Sequence, residues 1–164
     1  MRLLWRHYRD PRGVIVLVRL SVGVIFFLEG IKKFLFPTDW GVGRFTKIGI
    51  PHPSVMAPFV GVVEVVCGAL LIVGLATRLA AIPLLIDIIV AILTTKVPIL
   101  LAKGFWPMEA EARTDYAMLM GLLFLAFAGS GCWSIDAWRA AAAADPRGDT
   151  PVRATRSRRP GTPS

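Results

Sequence analysis

Charge is scarce in this chain. Of its 164 residues only 18% are Asp, Glu, Lys or Arg, against about a quarter in an ordinary soluble domain. With 55% hydrophobic residues and a mean hydropathy of +0.62, that scarcity excludes a water-soluble globular domain. Cysteine is nearly absent too. Cys67 and Cys132 show no CxxC or Cys/His spacing, which excludes a zinc ribbon or a thioredoxin-type motif, and both read as small packing residues. Missing as well are a Ser/His/Asp constellation, a haem-ligand pair and any strand–turn–helix context for a phosphate loop. No metal site is therefore expected, and no site that runs chemistry alone. The net charge of +8 does not indicate nucleic acid, because the basic residues flank apolar runs as they do beside membrane spans.

What the chain does have is long apolar runs, several reaching the ~20 residues that cross ~30 Å of hydrocarbon. Four spans are predicted, at about 13–36, 54–76, 78–102 and 113–131, giving an all-α polytopic membrane protein with a four-transmembrane-helix bundle over 13–136. Pro37 closes the first span, "PHPS" opens the second and "GSG" ends the fourth. The two-residue link "TR" makes spans two and three an antiparallel hairpin. Trp40 and Trp106 suit the headgroup level. The basic stretch 1–12 lacks a small-residue cleavage site after it, so the first helix is expected to be retained. Residues 137–164 offer little to bury and are expected to be a disordered basic tail.

Orientation follows from Lys and Arg. Arg2, Arg6, Arg9, Arg12, Arg78, Arg139, Arg147, Arg153, Arg156, Arg158 and Arg159 share one side; Arg44, Lys47, Lys103 and Arg113 share the other. Both termini are thus expected in the cytoplasm, with the chain in the cytoplasmic (inner) membrane.

The charges inside the spans pose the functional question. Glu64 lies in "PFVGVVEVVCGALLIVGLATRL"; Arg19, Glu29, Lys32 and Lys33 belong to the first span, and Asp87 and Lys96 to the third. Each costs about 2.5–3.5 kcal/mol at a helix centre, so they should turn inward. At ~1.5 Å per residue Arg19 sits ~9 Å, Asp87 ~12 Å, Glu64 ~18 Å, Glu29 ~24 Å and Lys96 ~25 Å above the inner boundary. Arg19 is the expected partner of Glu64, reaching upward, with Lys96 reaching down as the second choice; Lys32 and Lys33 pair with Glu29 or snorkel to the interface. Ala57, Gly61, Glu64 and Gly68 recur on one face, where small residues admit a close helix. His52 in "GIPHPS" is a candidate for a quinone headgroup.

The stretches "RLSVGVIFFLEGIKKF", "IGIPHPSVMAPFVGVVEVVCGALLIVGLATRLAAIPLL" and "GSGCWSID" together resemble the DoxX family, from about Arg19 to Asp136. Arg19, Gly23, Gly30, Lys33, Pro53, Glu64, Gly68, Gly74, Thr77, Arg78, Ser134 and Asp136 carry the resemblance. It implies a four-helix integral membrane protein of the kind found as a small subunit of a quinol oxidase or thiosulfate–quinone oxidoreductase. The expectation is an accessory subunit of a quinone-linked respiratory or thiol-redox assembly, with no intrinsic cofactor. Arg19, Glu64 and His52 are then the quinone or proton site, and Arg19, Glu29, Lys33, Glu64, Asp87 and Lys96 are ion-pair candidates. The partners are the lipid bilayer, a redox protein and a second copy of the chain, and not nucleic acid. The alternative is a small transporter or scaffold without a redox role, its interior charges binding a solute or fixing helix packing.

Overall fold

The computed structural model describes residues 11–131 and 134–144. Among these the secondary structure is entirely helical. Helix α1 runs Pro11–Leu35, α2 Val42–Lys47, α3 Pro53–Val73 and α4 Thr77–Ala91. A single π turn, Ile92–Lys96, joins α4 to α5 (Val97–Lys103); α6 is Phe105–Ala128 and α7 Ile135–Ala144. Among the described residues three stretches are long and apolar enough to cross a membrane: Gly13–Leu35, Pro53–Val73 and Thr77–Lys103.

Local chemistry sets the ends. Pro11 stands at the start of α1, where its missing N–H costs nothing, and Pro37 follows its end. Pro53 likewise opens α3, behind a left-handed His52 (φ 50°). At the far end of α3, Gly74 adopts the left-handed conformation (φ 71°), and the Leu75 N–H reaches back to the Leu70 carbonyl at 3.0 Å. That is a glycine-based helix stop. It turns the chain directly into α4, as the expected hairpin requires.

The π turn has an identifiable cause. Pro98 offers no N–H to the Thr94 carbonyl, and its ring would clash with that carbonyl in a regular helix. The backbone widens instead, and the Val97 N–H bonds to the Ile92 carbonyl five residues back. The Thr94 and Thr95 hydroxyls then donate to the carbonyls of Val90 (2.7 Å) and Ala91 (2.6 Å).

Packing depends on glycine. Helices α1 and α3 run antiparallel, with Gly23 against Gly68 and Gly30 against Gly61. A Cβ on Gly30 would lie 2.7 Å from the Gly61 carbonyl oxygen, and one on Gly68 would lie 2.7 Å from the Phe27 nitrogen. No side chain larger than hydrogen fits this seam, so the backbones touch. Val22, Phe26, Leu71, Leu84, Leu122 and Leu125 fill the space between α1, α3, α4 and α6. Outside, Leu17, Val62, Leu79, Ile86 and Phe127 are exposed, the inverse of a soluble protein and the surface a lipid solvent calls for.

Two expectations change. The segment predicted as a span over 113–131 is a helix that starts earlier, at Phe105, because Gly104 (φ 86°) breaks the chain there and Pro107 suits a first turn. Glu109, Glu111, Arg113 and Asp115 fall in its first half, so it lacks the unbroken apolar length of the other three. Residues 137–144, expected to begin the disordered tail, are helical; "AAAAA" has the highest helix propensity available. The remainder of that tail, the stretch 1–10 and Cys132 lie outside the described residues.

Candidate functional site

Lys33, Glu64 and Asp87 meet where α1, α3 and α4 converge. The Lys33 ammonium lies 2.5 Å from Glu64 Oε2, with the two side chains only 13% and 5% exposed. Asp87, on α4, is near enough for its charge to act on Glu64 and for the charge of Lys33 to act on it.

Arg19 is therefore not the partner of Glu64. The glycine seam sets α1 about one turn away from the register implied by matching span ends, so Gly30, not Phe26, stands beside the Gly61–Val65 turn of α3. Helical side chains slope toward the N-terminus of their own helix, which carries Lys33 back from the end of α1 toward Glu64. Arg19 lies opposite Gly74, ~15 Å along α3 from Glu64 at 1.5 Å per residue. It is 3% exposed and donates from Nη1 to the Ser130 carbonyl at 2.8 Å.

The other candidates resolve separately. Lys32 pairs with Glu29 at 2.6 Å, as expected. Lys96 turns away from Glu64 to α6, where Asp115 lies 3.2 Å and Glu111 3.9 Å away; the π turn reorients it and leaves it 8% exposed. His52 is exposed at the start of α3. Arg19, Glu64 and His52 thus stand at three different levels, and a quinone headgroup held by the three together does not fit. Among the described residues no cluster of His, Cys, Asp and Glu is arranged to hold a metal ion, and Cys67 is a buried thiol within the core.

A second constellation, at the hairpin end, eluded the reading of spans. The Asp136 carboxylate accepts the backbone N–H groups of Ala76 (3.0 Å) and Thr77 (3.4 Å), while its own N–H donates to the Gly74 carbonyl at 3.2 Å. It satisfies the orphan donors at the start of α4 and holds Ala76 in its left-handed conformation (φ 49°). Arg78 donates to the Phe127 carbonyl at 3.0 Å. Asp136 is also close enough to act on the charge of Arg19. Arg19, Gly74, Thr77, Arg78, Ser134 and Asp136, scattered along the chain, share one end of the bundle. The signal was the "GSGCWSID" stretch, where an acidic residue follows a glycine-rich break at the start of α7.

The DoxX family model matches residues 14–97, which takes in α1, the glycine seam and all three members of the buried cluster. The chain belongs to the DoxX family. It is 49% identical over 136 residues to an uncharacterised membrane protein of Mycobacterium tuberculosis, covering 79% of this chain and 83% of that one. It is 32% identical over 121 residues to a Bacillus subtilis protein named "Putative oxidoreductase CatD", covering 74% and 83%. A Haemophilus influenzae protein of uncharacterised role is 36% identical over 124 residues, covering 73% and 85%. No solved structure matches the chain. What the structure adds for this DoxX protein is a chemical focus: a buried lysine and two carboxyl groups on three helices.

Proposed function

We propose that this DoxX protein is the membrane subunit of a redox assembly linked to quinone or thiol chemistry, with the electron-carrying cofactor in its partner. The chain's own task is to hold and pass a proton within the membrane. The observation that carries this reading is the Lys33–Glu64–Asp87 cluster. Titratable groups placed inside a membrane span are costly and are kept where ions or protons move. The name of the Bacillus subtilis relative supports a redox setting. In this reading α6 is the fourth span of a bundle in the cytoplasmic membrane, and both chain ends face the cytoplasm. Lys96 supports α6 in that position, because it offsets Asp115 and Glu111 in the helix half where unpaired acids would be expensive.

The experiment compares membranes from cells with the wild-type chain, without it, and with Glu64→Gln. Expected results are a thiol- or NADH-driven quinone reduction that falls when the chain is absent, and a purified assembly in mild detergent whose visible absorption bleaches on reduction. Glu64→Gln should keep the partner bound while lowering turnover. A chain that purifies alone, with quinone reduction unchanged by its loss, defeats the redox reading. An intact assembly with full turnover in Glu64→Gln makes the cluster a lock for helix packing and nothing more.

A further inference from the structure

A cleft of about 750 Å³ opens at the end of the bundle where α1 finishes, away from the hairpin. One wall is the segment after α1, with Asp39, Trp40, Arg44, Lys47 and Ile48. The other is the last part of the third apolar stretch, with Thr94, Thr95, Pro98 and Ile99. We propose that this cleft binds the headgroup of an anionic phospholipid, a phosphodiester carrying a free hydroxyl head such as phosphatidylglycerol.

The cleft is amphiphilic by construction. Its charged wall belongs to a short connecting segment, and its apolar wall to a helical stretch able to lie in hydrocarbon. A ligand seated there has its polar end beside Arg44 and Lys47 and its body alongside α5, whose Leu100 and Leu101 face outward. Arg44 and Lys47 are three residues apart on α2 and so point the same way. Trp40 is faced by two cations, the Lys32 ammonium 4.1 Å from the ring centre and the Arg44 guanidinium 5.2 Å away. Those contacts hold the indole and the guanidinium in place before any ligand arrives. A guanidinium presents paired donors to a phosphate.

The remaining groups distinguish one headgroup from another. The Thr94 and Thr95 hydroxyls spend their protons on backbone carbonyls, so toward the cleft they offer lone pairs. Asp39 offers the same. A headgroup that brings hydroxyl donors next to its phosphate satisfies both sets. Arg44 and Lys47 against Asp39 leave the lining with one excess positive charge, matching a singly negative lipid and not a zwitterionic one. The π turn is what makes this geometry, because widening the helix at Ile92–Lys96 swings Thr94 and Thr95 onto the cleft side and Lys96 onto α6.

The test uses the full-length protein in detergent micelles, with lipid retention read by native mass spectrometry. Phosphatidylglycerol, phosphatidylethanolamine and phosphatidylcholine of matched chains are titrated, with sn-glycerol 3-phosphate as a water-soluble phosphate ester carrying free hydroxyls. The wild type should retain one phosphatidylglycerol about tenfold more tightly than either zwitterionic lipid, and Arg44→Ala with Lys47→Ala should erase the difference. Lys47→Glu, a change at an exposed site, provides the same reading if the double variant does not fold. Equal retention of all three lipids, a preference that survives both variants, or glycerol phosphate binding as tightly as the lipid overturns the proposal.

Discussion

Removing Lys33 should harm this protein more than removing Glu64, although the two form one ion pair. Lys33→Met strands two carboxyl groups, Glu64 and Asp87, in a site where Glu64 is 5% exposed. Breaking a buried pair by deleting one partner costs about 3–5 kcal/mol when the other stays charged. Over a chain of this size that is a fall in melting temperature on the order of 10 °C. Glu64→Gln strands nothing, because Lys33 still has Asp87 within its field; its melting temperature should fall by less than half as much. Lys33→Met combined with Glu64→Gln and Asp87→Asn leaves no ionisable group in the cluster and should recover most of the loss. The assay is thermal unfolding in one detergent at one protein concentration, read by the helical circular dichroism signal. Arg19→Leu provides the control. At ~15 Å from Glu64, its effect should add to that of Glu64→Gln within about 0.5 kcal/mol. A Glu64→Gln loss as large as that of Lys33→Met, or a strong coupling of Arg19 to Glu64, would refute the assignment of Lys33 as the shared partner.

Four further outcomes are expected. Gly68→Ala places a methyl 2.7 Å from the Phe27 nitrogen and 2.9 Å from the Gly23 carbonyl oxygen; both are backbone and cannot turn aside, so stability in detergent should drop by about 1–3 kcal/mol. Gly13→Ala, with nothing within 4 Å, should be neutral or stabilising by about 0.5–1 kcal/mol in the same melt. Asp136→Ala removes the carboxylate that serves the start of α4, and hydrogen exchange at Ala76 and Thr77 should accelerate at a cost of about 0.5–2 kcal/mol. Single cysteines in a background lacking Cys67 and Cys132 should label from opposite sides of the membrane at Arg78 and Lys103, and a same-side result would remove the third stretch as a span.

The solvent this chain needs was legible in composition, and so were three of its helices. Apolar length, proline and glycine act locally, and each leaves its mark within a few residues of where it works. The hairpin was readable from the two-residue link "TR", and the close approach at Gly61 and Gly68 from a bare helix face; each is a property of a short stretch of chain. The expected inward turn of Glu64 was readable from its small neighbours. Its partner was not. Which of Arg19, Lys96 or Lys33 meets it depends on how far α1 slides against α3, and the ends of apolar runs do not specify that slide; the contacts of Gly23 and Gly30 do. Lys96 was lost to α6 because one π turn, forced by Pro98, reorients the residues it contains. Asp136 found its place in a helix sixty residues earlier in the chain. Partnership between distant charges is decided by register and rotation, and those exist only once the helices have packed.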